Sequence, residues 1–219
     1  MRSIRLNYIV DVIIVLWLFG LRTCEGLGTN YDTITDTCLL GNLTPWRNYA
    51  VWKEVLVGGL SKQKVMLNSG CIWAPIVEGL LDIRPIMYKW HNVQHLEQLY
   101  DPQMATRPLI PDRKYPERPF PAHILNQGIK EVARIAEVPM ADVYCAYSCM
   151  IGHSTHMWEM RVGIEVAAKK FRWENKDSRA DMFNTYGARN PRHCQRRIGE
   201  KVTYSESEAA ELHPLVWVA

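Results

Sequence analysis

The stretch that decides the fold lies at the start of the chain, where residues 1–38 read MRSIRLNYIVDVIIVLWLFGLRTCEGLGTNYDTITDTC. Arg2 and Arg5 precede an apolar run over residues 8–21. A basic start followed by a short apolar core is typical of segments that engage a membrane. The sequence therefore predicts a membrane-engaging helix at this end of the chain.

The length of the apolar run leaves three interpretations. It matches a signal-peptide core of about 7–15 residues, and Cys24-Glu25-Gly26 would serve as the cleavage site. A transmembrane helix needs at least about 17 residues, which the run reaches only when it is counted from Ile4 and includes Arg5, Asn7 and Asp11. A buried core element is the third interpretation. We expect a transmembrane anchor or signal segment over residues 1–26, followed by one helical domain over residues 27–219.

Charge and cysteine usage indicate the compartment. The positive-inside tendency keeps Arg2 and Arg5 on the cytoplasmic or matrix side, so the body would lie on the oxidising side of the membrane. We favour the mitochondrial intermembrane space, with a secretory lumen or the extracellular space as alternatives. Disulfides form in such compartments, and the disulfide candidates are Cys24, Cys38, Cys71, Cys145, Cys149 and Cys194.

Composition limits the classes of function. The 219 residues are 47% hydrophobic and 22% charged, which is ordinary for a folded domain, and the net charge of +3 is too small to indicate a nucleic-acid partner. Eight Trp and ten Tyr are more unusual. These side chains favour protein contacts and membrane interfaces, because one end of each is apolar and the other polar.

Hydrophobic spacing predicts an all-α fold with irregular connections. Thr44-Pro45 is a good helix start, since Thr is a common N-cap and Pro suits the first helical position. No alternating apolar series indicates a strand. The predicted helices cover residues 44–58, 71–81, 85–100, 122–138 and 140–173, with Gly152 and Gly163 as weak points in the last.

A Pro-rich segment interrupts these helices. Residues 101–121 contain six of the twelve prolines, too many for a helix or an internal strand. The segment should be an extended, partly polyproline arm. It is either a linker or an arm lying across a neighbouring subunit, with apolar anchors at Leu109, Ile110, Tyr115 and Phe120.

The most unusual cluster is Cys145, Cys149, His153 and His156, which share a narrow arc of a predicted helix. Zinc could bind tetrahedrally if Cys145 and Cys149 were joined by His91 and His95 from another helix. Zinc is the one cofactor that we consider, and disulfide formation is the favoured fate of these cysteines. A cysteine nucleophile paired with His153 or His156 is a further alternative, but neighbours on one helix do not give triad geometry.

Residues 129–143, IKEVARIAEVPMADV, resemble the DNA-binding helix-turn-helix of lactose-repressor-type regulators. The shared pattern is Ile-Lys-x-Val-Ala-x-x-Ala-x-Val. Glu137 stands where that turn usually has Gly, and Tyr144, Cys145 and Tyr147 replace the polar residues that would read bases. We interpret the stretch as an ordinary helical corner.

A basic stretch lies near the end of the chain. It is either a solvated face or a contact for anionic lipid or an acidic partner. Its candidate contact residues are Arg189, Arg192, Arg196, Arg197 and Lys201.

Known catalytic motifs are missing from the sequence, which has no Gly-x-Ser-x-Gly, no phosphate-binding glycine loop and no His-Glu-x-x-His. We therefore expect a non-catalytic accessory or structural subunit of a membrane protein complex. A mitochondrial inner-membrane respiratory or ATP-synthase assembly is the favoured setting, with other subunits and membrane lipids as partners. The alternative is a secreted or luminal disulfide-bonded enzyme or binding protein whose signal peptide is cleaved.

Overall fold

The structure, a computed structural model, describes residues 2–28, 38–46, 54–57, 72–75, 77–78, 80–160 and 162–171. This part is helix-rich, which confirms the mainly helical prediction. The helices are α1 (Arg2–Phe19), α2 (Thr23–Leu27), α3 (Arg84–His91), α4 (Ala122–Ile135), α5 (Ala146–Glu159) and α6 (Ile164–Phe171). The strands are β1 (Leu43–Trp46), β2 (Glu54–Val57), β3 (Ile72–Pro75), β4 (Val77–Glu78) and β5 (Leu81–Asp82).

Helix α1 forms the centre of the hydrophobic core and packs mainly against α4 and α5. Its buried positions recur every three or four residues, the spacing that places side chains on one face. Full burial of one such side chain contributes about 1.5–3 kcal/mol relative to exposure. The buried side chains of α1 are Tyr8, Ile9, Val12, Val15, Leu16, Leu18 and Phe19. The packing therefore matches the third interpretation of the apolar run, a buried core element.

The one acid of α1 is paired within the fold. Lys89 Nζ of α3 donates a hydrogen bond to the Asp11 carboxylate and forms a salt bridge with it. Because the Lys89 side chain is more than half exposed, this pair sits at the rim of the core, where water screens it. Within the described residues, no helix is both long and apolar enough to cross a membrane.

Gly128 allows α1 and α4 to approach closely. A Cβ at Gly128 would lie 2.6 Å from Ile9 Cδ1, well inside van der Waals contact. Gly128 and Ile9 are both buried, so neither can move toward solvent. The absence of a side chain at this point therefore sets the distance between the two helices.

The strands correct two predicted helices, those over residues 44–58 and 71–81. β1, β2 and β3 form an antiparallel sheet in that order, with Pro45 opposite Val55. β4 and β5 form a separate antiparallel pair. Pro45 and Pro75 lie on the two outer strands, where a missing N–H need not break a ladder. A Thr-Pro pair that starts helices can thus equally stand on an edge strand, and all-α was too strict.

The other predicted helices are present with shorter bounds. α3 ends at His91, because Asn92 after it has a left-handed φ of 54°, and a 3-10 helix follows at Leu96–Tyr100. The single long helix predicted over residues 140–173 is divided into a 3-10 helix, Ala141–Val143, then α5 and α6. The break between α5 and α6 contains Gly163, one of the expected weak points.

The Pro-rich segment contains no α-helix and no named strand, but it includes a 3-10 helix, Pro102–Met104, and it packs on its own chain. Leu109, Ile110 and Phe120 are buried in the same core as α1. Its backbone accepts two buried side-chain hydrogen bonds, from the Tyr8 hydroxyl at Pro111 and from His91 at Leu109. Three of the four proposed anchors therefore pack inside this chain. This contradicts the prediction of an arm whose apolar side chains contact a neighbouring subunit.

A buried ion pair ties the first helices to the last described one. Arg22 Nη1 lies 3.0 Å from Glu25 Oε1, and the Glu25 side chain is almost fully buried. Arg22 Nη2 donates to the carbonyl oxygen of Phe171 at 3.1 Å, at the end of α6. Cationic groups near the last carbonyls of a helix are stabilising. Arg22 thus closes the bundle of α1, α2 and α6.

Candidate functional site

The cysteine and histidine cluster lies at α5, and two of its four members are inside the core. Cys149 is 1% exposed and His153 is 3% exposed. Cys145 precedes the helix, and its N–H donates to Ser148 Oγ at 3.1 Å, which caps the start of α5. His153 and His156 pack against the Trp17 ring, with ring centroids 4.8 and 5.3 Å from it. The cluster therefore joins α5 to α1.

Burial makes the thiol of this cluster unreactive. Loss of solvent raises the pKa of Cys149 to about 12, and the neighbouring Cys145 adds to the effect. Cys149 is therefore held as the neutral thiol at neutral pH, whereas the thiolate is the form that attacks substrates or binds metal. The geometry thus gives no support to the cysteine-nucleophile alternative at Cys149.

The junction of α1, α5 and α6 also contains buried polar atoms. Ser154 Oγ and Trp17 Nε1 have no hydrogen-bond partner among the described residues. The His153 ring packs edge-on against Phe171, with centroids 5.5 Å apart. Burying a polar group without a hydrogen bond costs free energy. We therefore expect substitutions at this junction to change the free energy of unfolding. We assign the junction to the core.

The four residues considered for zinc are not brought together as a site. His91 is buried, and its Nε2–H donates to the Leu109 carbonyl at 3.2 Å, whereas His95 is exposed before the 3-10 helix. Cys145 and Cys149 belong to α5 and its start. Across the described ranges, no group of three or more His, Cys, Asp or Glu side chains could hold a metal ion. Zinc binding stays a prediction without support from this geometry.

The predicted disulfides are not seen between the cysteines that the structure describes. Cys24, Cys145 and Cys149 are free thiols, and Cys38 is buried with its Sγ 3.8 Å from the Leu39 carbonyl oxygen. Cys71 and Cys194 lie outside the described residues. So does the proposed lipid contact formed by Arg189, Arg192, Arg196, Arg197 and Lys201.

The surface feature that stands out is the corner between α4 and the 3-10 helix Ala141–Val143. Glu137 N–H donates to the Arg134 carbonyl and Val138 N–H to the Ala133 carbonyl. With Glu137 at a left-handed φ of 54°, this is a Schellman ending of α4. Glycine usually occupies this position, and another residue there costs roughly 1 kcal/mol.

The corner presents apolar side chains to solvent. Ile135 is 63% exposed, Met140 is 40% exposed and Val143 is 39% exposed. Met140 is also held at a left-handed φ of 56°, and an Arg134–Asp142 ion pair links α4 to the 3-10 helix. Two strained residues within four positions, next to exposed apolar groups, are typical of binding surfaces. We call residues 134–143 the docking corner.

Sequence reasoning located this corner but missed its exposure. The spacing placed Ile135 on the apolar face of its helix, whereas the structure exposes it because α4 ends there. The Glu137 departure from the helix-turn-helix pattern was the available signal. Tyr144 is only 8% exposed and a 3-10 helix replaces the start of a recognition helix, which is consistent with an ordinary corner.

Replacing Glu137 by glycine should stabilise the protein. Glycine adopts the left-handed conformation without strain, so Glu137→Gly should raise the free energy of unfolding by about 0.5–1 kcal/mol. Urea unfolding followed by circular dichroism measures this change. Glu131→Gly, inside α4, is the matched control and should destabilise by about 1 kcal/mol. Destabilisation by both substitutions would show that the turn is not strained at Glu137.

Comparison with known proteins identifies no relative, since no protein-family model, no curated protein and no solved structure matches the chain.

Proposed function

We propose that the chain is a non-catalytic accessory subunit of a membrane protein complex, bound to its partner subunits through the docking corner. The observation that carries this proposal is the corner itself, where Ile135, Met140 and Val143 are exposed on a strained turn. Exposed apolar groups that are clustered, rather than scattered, mark protein contacts. Methionine suits such contacts because its side chain adapts to the opposing surface.

The core supports the non-catalytic part of the proposal. Cys149, one of the two nucleophile candidates, is buried as a thiol, and the histidines beside it pack on Trp17. The membrane setting is proposed from the sequence, through the basic start and the aromatic content, because the structure packs the apolar run into the core. A mitochondrial inner-membrane assembly remains the favoured setting. Docking through the corner leaves α1 within the core of the subunit.

The proposal is tested by adding charge to the corner. The double variant Ile135→Glu and Val143→Glu should weaken assembly roughly 30-fold, as expected for the loss of about 2 kcal/mol at the centre of an interface. Native gel electrophoresis of membranes solubilised in mild detergent, with detection of this chain, reports the assembled fraction. Thermal unfolding should be nearly unchanged, because both side chains are exposed.

The matched control places the same charges on two other exposed positions, with Met160→Glu directly after α5 and Val166→Glu in the first turn of α6. This control should assemble like the parent chain. Equal loss in both double variants would indicate a general effect of negative charge. A parent chain that runs as a monomer under the same conditions would show that it is not a subunit of such a complex.

A further inference from the structure

The Pro-rich segment ends in an ordered loop that projects from the core. Phe120 N–H donates to the Ile110 carbonyl at 2.9 Å, and Asp112 N–H donates to the Arg118 carbonyl at 2.7 Å. These bonds pair the two arms of the segment like a short hairpin, with Pro111 opposite Pro119. Ile110 and Phe120 are buried, so the loop rises from a fixed base.

The loop also holds its own shape beyond that base. Asp112 Oδ1 accepts hydrogen bonds from the backbone N–H groups of Lys114, at 2.6 Å, and Tyr115, at 3.0 Å. Arg118 N–H donates to the Tyr115 carbonyl at 2.8 Å. All six residues over 113–118 are exposed, and we call them the basic tip. The tip is therefore exposed yet ordered, which lowers the entropy that binding would cost.

The basic tip combines cations with one aromatic ring. Arg113, Lys114 and Arg118 outnumber the single acid of the tip, Glu117. Lys114 Nζ lies 4.9 Å from the centroid of the Tyr115 ring, and Arg118 Cζ lies 5.4 Å from it. Tyrosine and basic side chains are the residues that membrane-associated proteins place at the lipid headgroup level.

The size of the tip favours a lipid surface over a macromolecular partner. A stable protein interface buries about 800 Å² on each side and involves about 20–30 residues, more than a six-residue tip provides. Single-stranded nucleic acid is bound along a groove with several stacking rings, and the tip has one. A lipid bilayer presents many anionic headgroups to whatever cations reach it.

We infer that the basic tip, residues 113–118, docks on the phosphate-bearing headgroups of an anionic lipid membrane. Arg113, Lys114 and Arg118 provide the charge, and Tyr115 enters the interfacial layer. Asp112 lies at the base of the tip, where one of its carboxylate oxygens accepts hydrogen bonds from two backbone amides of the loop. This surface differs from the docking corner, so it can act whether or not the corner binds a partner.

Vesicle co-sedimentation of the full chain tests the inference. The probes are vesicles of phosphatidylcholine alone and vesicles with phosphatidylserine added. Each cation near an anionic surface strengthens binding roughly fivefold. The triple variant Arg113→Gln, Lys114→Gln and Arg118→Gln should therefore bind phosphatidylserine vesicles roughly 100-fold more weakly at low salt. The difference should vanish near 1 M salt, where the Debye length is about 3 Å.

The control removes the same charge elsewhere, with Arg84→Gln, Arg107→Gln and Lys130→Gln. Both triple variants keep the basic stretch over residues 189–201, so only the position of the lost charge differs. The control should bind nearly as well as the parent. Equal weakening in both variants, or none in the tip variant, would overturn the inference. Tip-dependent retention on single-stranded nucleic acid without vesicle binding would also overturn it.

Discussion

Leu16→Ala should lower the free energy of unfolding by about 2–5 kcal/mol, a large share of the total stability of a domain this size. Leu16 lies on α1 and is 0% exposed, so truncation removes apolar contacts and leaves a cavity. Urea unfolding of the full chain, followed by tryptophan fluorescence, measures the loss. The control is Val10→Ala on the same helix, which is 38% exposed and should cost less than about 1 kcal/mol.

This pair of variants also separates the three interpretations of the apolar run. A core helix requires Leu16→Ala to destabilise the domain and Val10→Ala to leave it nearly unchanged. A signal peptide or an anchor in lipid would leave domain unfolding unchanged in both. N-terminal sequencing of the native protein adds an independent measurement, because cleavage after Gly26 would give Leu27 as the first residue.

The second large effect concerns acid stability and His91. Burial lowers the pKa of His91 to about 4, against the opposing hydrogen bond to the Leu109 carbonyl. The folded state therefore holds the neutral ring, while the unfolded chain binds a proton below its ordinary pKa of about 6.5. The contribution of neutral His91 to the free energy of unfolding is fully present above pH 6.5. It is lost as the pH falls to about 4, and the loss is about 3 kcal/mol in total.

His91→Gln should flatten this pH dependence, because glutamine keeps a donor for the Leu109 carbonyl but does not titrate. The measurement is urea unfolding of parent and variant at pH values between about 7 and 4. His95→Gln is the matched control, since His95 is exposed in the next segment and should leave the parent slope unchanged. A parent and a His91→Gln variant that lose stability equally with acid would show that His91 is not the group responsible.

Local chemistry allowed part of this fold to be predicted. The amphipathic spacing of α4, the break at Gly163 and the irregular Pro-rich segment each depend on neighbours within a few residues. Elements that depend on distant partners were not predicted. β1 and β2 pair across the sheet, and short apolar runs such as those around Pro45 and Val55 fit a helix or a strand equally well.

The candidate sites show the same division. Glu137 could be recognised as unusual from its position after a helical pattern, but the exposure of Ile135 depends on α4 ending at that residue. The buried state of Cys149 and His91 likewise depends on elements far away in sequence. The apolar run could not show whether its helix lies in a membrane or in a protein core, because apolar side chains are buried in both settings.

The position of α1 at the centre of the core affects how the chain is made. α1 leaves the ribosome before α4 and α5, and its main partners begin at Ala122 and Ala146. Translation adds about 5–20 residues per second, so roughly 5–25 seconds pass between the synthesis of α1 and the synthesis of these partners. During that delay the nascent chain presents a basic, hydrophobic helix to chaperones and to targeting factors. Burial of α1 is therefore completed only late in synthesis, after α4 and α5 have been made.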